Sequence, residues 1–273
     1  VTIDLQKALG VATEAARGAG KVLLRFYEQP HEEATKSNIY DIVTEGDKAS
    51  EALIVSVLRE TFPDHHIVGE EGSSTGAPAQ QAEYFWYVDP LDGTSNFANN
   101  IPLFSISIAL ADRHKKPLVG VVYAPVYNEL YTAVTGQGAA LNGKPIRVSQ
   151  RESLSSAILV SGFPSDKEAV HNNLAEWAAF NFRTRGLRRL GSAAIDLGWV
   201  AAGRFDGYWE RDLHPWDVLA GILCVQEAGG KATDYAGRVS EWLYGAKEVL
   251  VSNGRIHDEM LALLAEVHGD GAH

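Results

Sequence analysis

Tyr84-Phe-Trp-Tyr-Val-Asp-Pro-Leu-Asp-Gly-Thr-Ser-Asn-Phe97 decides how this chain is read. Tyr84 to Val88 is a short aromatic and β-branched run, the composition of a buried strand. The strand is expected to end in Asp89-Pro90, because proline donates no ladder hydrogen bond and holds the residue before it extended. Asp92-Gly93 then makes a tight turn, and Thr94-Ser95-Asn96 is rich in helix N-cap types. Two carboxylates, three positions apart, therefore stand at a strand's carboxyl end just ahead of a helix start. Carboxylates in that place hold hard divalent cations, and the free N–H groups of a helix start hold phosphate. Taken alone, Asp-x-x-Asp also reads as an Asx-rich turn with solvated acids.

Three further stretches lie outward from this one: Asp41-Ile-Val-Thr-Glu-Gly-Asp47, Gly69-Glu70-Glu71-Gly72 and Trp216-Asp217-Val-Leu-Ala-Gly221. Singly, each has an ordinary explanation. Thr44 or Asp47 caps a helix, and paired glutamates between glycines make a charged surface turn. In order, however, from about Lys36 to Gly230, the four together resemble the signature of the inositol monophosphatase family of metal-dependent sugar-phosphate phosphatases.

The resemblance implies a layered α+β or α/β architecture, the five-layer αβαβα sandwich shared by inositol monophosphatases and fructose-1,6-bisphosphatases. One unit would span 1–273, with a metal-binding half at 1–150 and a substrate-selecting half at 151–273, usually paired as a homodimer. It also implies two or three Mg²⁺ ions per site, with Mn²⁺ as a substitute, and inhibition by Li⁺. The first metal would be held by Glu70, Asp89 and the main-chain carbonyl of Leu91, and the second by Asp89, Asp92 and Asp217. Asp47, Glu70 and Thr94 form the implied catalytic group, Thr94 and Asp47 orienting a water for in-line attack. Amides at Gly93 and Thr94 would take the phosphate. Asp92, the turn Gly191-Ser192-Ala193 and Glu210, seven residues before Asp217, would contact the rest of the substrate.

Residue chemistry agrees with this on its own terms. Glu70, Asp89, Asp92 and Asp217 are an all-oxygen set suited to Mg²⁺ or Mn²⁺ rather than zinc. Histidine and cysteine are absent from the four motifs except for His214, read as a cleft-edge residue, and no histidine or cysteine nucleophile motif of other phosphatase classes is present. A net charge of −11, with 45% hydrophobic and 22% charged residues, fits a soluble protein and argues against a nucleic-acid surface. The lone Cys224, set among Leu219, Ile222 and Leu223, reads as a buried inert thiol and suits a reducing cytoplasm. No apolar run reaches membrane-span length.

Elsewhere, Leu5, Leu9, Ala12, Ala16, Ala19, Leu23 and Phe26 recur at helical spacing, predicting a first helix that ends before Pro30. Residues 31–40 read as a loop carrying Lys36, and a second helix is expected from about Asp47 to Phe62. His66–Val68 reads as a strand and 73–83 as a plain polar loop. Phe104–Leu110, Leu118–Tyr123 and Glu129–Val134 alternate with period two, as antiparallel strands do. Gly136-x-Gly138 is turn chemistry, and Asn142-Gly143 a hairpin turn. Strands are expected at Ala157–Ser161, Phe205–Glu210, Lys231–Thr233 and Val249–Val251. Helices are expected at Lys167–Phe180, with Leu174 and Trp177 facing inward, and at Ala194–Ala202, Trp216–Ala228 and Ile256–Val267.

The expected activity is Mg²⁺-dependent hydrolysis of myo-inositol monophosphate and related polyol phosphates. Fructose-1,6-bisphosphatase is the alternative, requiring one of Arg183, Arg185, Arg188, Arg189 or Arg211 to hold a second phosphate bidentately. Histidinol-phosphate and nucleotide 3′-phosphatase activity are disfavoured by Glu210. A different class of alternative is a non-catalytic interaction protein on the same fold, a partner of the transcription machinery as some bacterial relatives are. Such a scaffold has no need to keep every carboxylate.

Overall fold

The computed structural model describes residues 3–29, 33–35, 42–164 and 172–269; Lys36, Asp41 and the start of the expected 167–180 helix lie outside them. Helix α1 (Leu5–Phe26) opens on Asp4, whose carboxylate accepts from the amides of Gln6 and Lys7, both at 3.0 Å. Strands β1 (Glu33–Thr35) and β2 (Ile42–Thr44) pair antiparallel and lead into α2 (Glu45–Thr61). Next come β3 (His66–Gly69), β4 (Ser74–Gly76), β5 (Tyr84–Asp92) and the short α3 (Thr94–Ala98). A meander follows: β6 (Ser105–Asp112), β7 (Pro117–Ala124), β8 (Glu129–Val134), β9 (Gly138–Leu141) and β10 (Lys144–Pro145). These strands form one eight-stranded sheet ordered β10-β9-β8-β7-β6-β5-β3-β4, parallel only where β3 meets β5.

The second half runs β11 (Ile158–Ser161), α4 (Leu174–Arg183), β12 (Gly186–Arg188), α5 (Ala193–Ala201) and β13 (Gly207–Arg211). It closes with α6 (Pro215–Glu227), β14 (Lys231–Thr233), α7 (Glu241–Tyr244), β15 (Glu248–Ser252) and α8 (His257–His268). Its five-stranded sheet is ordered β12-β11-β13-β15-β14, with β11 parallel to both neighbours.

Side-chain alternation turns these two sheets into five layers. On β6, Ile106, Ile108 and Leu110 face α1 and α2, packing with Ala12, Ala16, Leu23, Ile54 and Leu58. The intervening Ala109 and Ala111 face the opposite way, toward Leu197, Val200, Leu219 and Ile222 of α5 and α6. Those two helices are buried on nearly all sides, because the second sheet covers them with Tyr208, Val249 and Val251. On its far face Trp209 and Leu250 pack with Phe180, Met260 and Leu264 of α4 and α8. The αβαβα order implied by the resemblance is the observed one. Contact between the layers is close enough to require glycine: a Cβ on Gly120 of β7 would lie 2.6 Å from the carbonyl oxygen of Ala220 on α6.

Five expectations are corrected. The stretch 31–40 is not loop throughout, since Glu33–Thr35 is a strand paired with β2. Within the expected 73–83 loop, Ser74–Gly76 is an edge strand against β3; it rests on main-chain pairing, so its exposed side chains gave no pattern to read. The helix expected from Lys167 begins, among described residues, at Leu174 and continues to Arg183, beyond Phe180. Leu174 does not face inward but is 59% exposed; Glu176 and Phe180 take the buried side, and Trp177 is half-buried. Strand β5 also does not stop at Asp89-Pro90 but runs on to Asp92.

Candidate active site

That continuation of β5 shapes the site. Its register against β6 shifts between Asp89 and Asp92, so the missing N–H of Pro90 falls in an irregularity where no ladder bond is due. Asp89 is turned inward, 2% exposed, and its Oδ1 accepts the amide of Leu91 at 2.9 Å. Gly93 follows with φ 96°, and a Cβ there would meet the carbonyl oxygens of Leu103 and Gly191 at 2.9 and 3.1 Å. Only glycine fits the backbone at that point.

Helix α2 supplies a polar row. Asp47, Ser50 and Glu51 occupy the same buried stripe as Ile54 and Leu58, at helical spacing. The Thr94 hydroxyl lies 3.2 Å from Asp47 Oδ1 and 3.0 Å from the Leu91 carbonyl oxygen, and its single hydrogen chooses between them. Ser50 Oγ donates to the Pro90 carbonyl at 2.8 Å. Glu51 accepts from the amides of Glu71 (2.8 Å) and Ser73 (3.2 Å) and from Ser73 Oγ (2.5 Å). Asp47 is therefore more than a helix cap, and the loop bearing Glu70 is tied to α2.

The second half meets the first at Asp92. Its Oδ2 accepts from Ser192 Oγ (2.6 Å) and the Ala194 amide (2.8 Å), and its Oδ1 from the Ala193 amide (3.3 Å). The turn Gly191-Ser192-Ala193 thus opens α5 onto the Asp92 carboxylate, where helix-start N–H groups favour an anion. Oδ1, with one long bond, keeps lone-pair capacity. Glu210, 5% exposed, accepts the Tyr208 hydroxyl at 2.6 Å and lies over Gly162 so closely that a Cβ there would sit 2.2 Å from its Oε1. Asp217 opens α6 and accepts the backbone amide of His214 at 2.7 Å; the His214 ring stacks on Trp216 at 4.6 Å.

These acids share one field. Burial, then the charges of Glu70, Asp92 and Asp217 and a hydrogen bond with Glu70, hold the Asp89 carboxyl well above the ordinary range. Asp217 is likewise raised by burial and by Glu70, against the pull of the His214 amide. Burial pushes Asp92 up to about 6 although Ser192, Ala194 and Ala193 pull it down. Glu210 is pushed to about 7 by burial, with Tyr208 and Arg189 pulling down. Carboxyls crowded together in this way call for positive charge between them. The donors are all oxygens, so the residues fit Mg²⁺ or Mn²⁺. Among the described residues no three such side chains already form a closed cage. The cluster has the chemistry of a cation site without being pre-assembled as one.

Sequence reading missed Ser50 and Glu51, although polar residues at the i, i+3 and i+4 positions of an otherwise apolar stripe were a legible signal. It also missed Asp196, 1% exposed on α5, whose Oδ1 has no hydrogen-bond partner among the described residues and whose carboxyl is raised by burial and by Glu210 and Asp92. Of the five arginines, Arg183 forks onto Glu266 at 3.2 and 3.0 Å. Arg188 reaches the Leu187 carbonyl, and Arg185 is exposed. Arg211 points away from Glu210, as neighbours on a strand do, to pair with Glu248 at 3.1 Å and lie over the Tyr235 ring. Only Arg189 reaches the site's edge, near Gly191.

Residues 4–269 match the profile of the inositol monophosphatase family. The chain is 42% identical over 263 residues, 96% of its length and 90% of the relative's, to a Synechocystis sp. protein named inositol-1-monophosphatase. It is 40% identical over 264 residues, 96% of its length and 97% of the relative's, to the Escherichia coli K12 protein named Nus factor SuhB. Among solved structures, inositol monophosphatase from Anabaena (Nostoc) sp. superposes with a TM-score of 0.86 at 43% identity, covering 97% of each chain.

Proposed function

The chain belongs to the inositol monophosphatase family, and from that premise we propose that it hydrolyses phosphomonoesters of polyols, myo-inositol monophosphate foremost. The observation that carries the reading is the convergence of Glu70, Asp89, Asp92 and Asp217, drawn from both halves, beside the Asp47–Thr94 pair.

Glu70, Asp89 and the Leu91 carbonyl would hold one Mg²⁺ and Asp89, Asp92 and Asp217 another, with a third, weaker ion near Glu70. Bound there, such ions supply an acidified water, neutralisation of the phosphoryl oxygens and stabilisation of the leaving alkoxide. Thr94, hydrogen-bonded to Asp47, orients the attacking water through its hydroxyl. Asp47 accepts the hydrogen that fixes that hydroxyl. Amides at Gly93 and Thr94 receive the phosphate. Glu210 takes the polyol hydroxyls, its position fixed by Tyr208. Ser192 and Ala193 hold Asp92 in place against the substrate side.

A monophosphate comes first because Arg211, the residue beside Glu210, is taken up by Glu248 and Tyr235; fructose 1,6-bisphosphate is the alternative, with Arg189 at the site's edge the arginine placed to hold a second phosphate. A homodimer, a cytoplasmic location, Li⁺ inhibition and the 1–150/151–273 division of labour belong to the same proposal. The free, buried Cys224 suits a reducing compartment, and the other three rest on membership of the family. A second reading takes its cue from the E. coli relative's name, a Nus factor. A binding role of that kind leaves the buried acids without a use.

The test is phosphate release with added Mg²⁺ from myo-inositol 1-phosphate, fructose 1,6-bisphosphate, histidinol phosphate and a nucleoside 3′-phosphate. The expected order places the inositol ester first. No release from any of them would remove the catalytic reading in favour of the binding one.

A further inference from the structure

Glu51 is a carboxylate only 4% exposed, on the second turn of α2, and the hydrolytic reaction gives it nothing to do. Its surroundings show what it holds. The loop after β3 turns back on itself, with the Gly69 amide donating to the Ser73 carbonyl at 2.7 Å and the Gly72 amide to the Gly69 carbonyl at 3.3 Å. Glu51 fills the inside of that turn. Both its oxygens are used, Oε2 by the Glu71 amide and Oε1 by the amide and hydroxyl of Ser73. The fit leaves no room for a side chain on the residue before Glu70: a Cβ on Gly69 would stand 2.3 Å from Glu51 Oε2. On the amino-terminal side of Glu70, its own amide donates to the Val88 carbonyl of β5, 3.1 Å away, while the Glu51 bonds follow it in the chain. Glu70 is thus presented from a backbone pinned at both ends, to the sheet by Val88 and to α2 by Glu51. The same helix holds Asp47 against Thr94 and Ser50 against the Pro90 carbonyl.

We infer that Glu51 is a positioning residue for cation binding: it locks the 69–73 turn so that the Glu70 carboxylate faces Asp89, and it thereby sets the affinity of the ion that Glu70 holds. This rests on the metal-dependent reading above. Glutamine at this position keeps the shape but offers one acceptor and a donor, so an N–H of the turn faces another N–H. Partners that orient metal ligands from behind are worth roughly 10- to 100-fold in metal affinity.

Mn²⁺ binding to the substrate-free protein, followed by the free-ion electron paramagnetic resonance signal, tests it. The wild type should show at least one tight ion. In Glu51→Gln that ion should weaken by roughly 10- to 100-fold, while a weaker class held by Asp92 and Asp217 stays put. The Mg²⁺ concentration for half-maximal rate should rise in parallel, with kcat at saturating Mg²⁺ within about threefold of wild type. If Glu51→Gln does not fold, Ser73→Ala decides, since it leaves α2 intact and removes one of the three bonds; a smaller loss in the same class is expected. Unchanged Mn²⁺ affinity in the folded variant, even with a lowered melting temperature, would make Glu51 merely structural and overturn the inference. No Mn²⁺ bound by the wild type would overturn the metal reading itself.

Discussion

Asp89 stands among three other acids, and its replacement separates charge from shape. Asp89→Asn keeps the bond to the Leu91 amide through the remaining carbonyl oxygen but removes a ligand shared by both proposed ions. Activity under saturating Mg²⁺ should fall by more than tenfold with the circular dichroism spectrum unchanged, since loss of Lewis-acid stabilisation costs several kcal/mol; a tenth of the rate or more would sink the shared-ligand assignment. Glu210 gives a prediction of a different kind. Its folded pKa of about 7 lies above the ordinary 4.5, so the native state holds that proton more tightly than the unfolded chain does. The stability it confers is present below about 4.5 and is lost as pH rises toward 7. Melting temperatures of chelator-treated protein should fall from pH 5 to pH 8, and Glu210→Gln should flatten part of that slope; a parallel slope in the variant would mean the acid is not buried as described. In turnover, the same variant should lose roughly 10- to 100-fold in kcat/KM on inositol phosphate but little on p-nitrophenyl phosphate, which has no hydroxyls to bind. Equal loss on both esters would move Glu210 to a metal-supporting role.

Among the elements, α6 shows best what the sequence could and could not reveal. Its apolar run and its opening Asp217 were legible, because Trp216–Gly221 carries both the pattern and the acid. Its depth was not, since the reason lies on another strand: Gly120 of β7 lets the Ala220 carbonyl approach to a distance where any Cβ would clash. Gly120→Ala should cost about 1–3 kcal/mol by overpacking. It should also lower kcat, because the displaced helix carries Asp217; chemical denaturation and steady-state kinetics read the two effects. Full activity in that variant would show that α6 tolerates displacement. Strand β5 makes the converse point. Proline is a sound stop signal within a paired strand, but here the pairing itself shifts between Asp89 and Asp92, so the signal marked the irregularity rather than the end. Leu174 departs from the expectation because an isolated leucine at a helix start carries no phase; Glu176, which takes the buried side instead, pairs with His268 and Arg211 from other elements. Such long-range ion pairs leave no trace in local periodicity.

At the scale of the molecule, the crowded acids relieve their mutual repulsion either by keeping protons or by binding a cation. Mg²⁺ at about a hundred times its dissociation constant should stabilise the fold by about 2.7 kcal/mol, or roughly 5–10 °C in melting temperature. A scan with and without chelator checks this, and coincident curves would leave the acid cluster without its ion. The order of layers also has a consequence for how the protein is made. Asp92 waits for Ser192, Ala193 and Ala194, a hundred residues further along the chain, and the inner face of the first sheet waits for α5 and α6. On the ribosome, the amino-terminal half would therefore emerge with a bare apolar sheet face and an unquenched carboxylate. A fragment that stops short of α6 lacks both the cover for that face and Asp217. Under the proposed function, any turnover would report that translation ran far enough to close the middle layer.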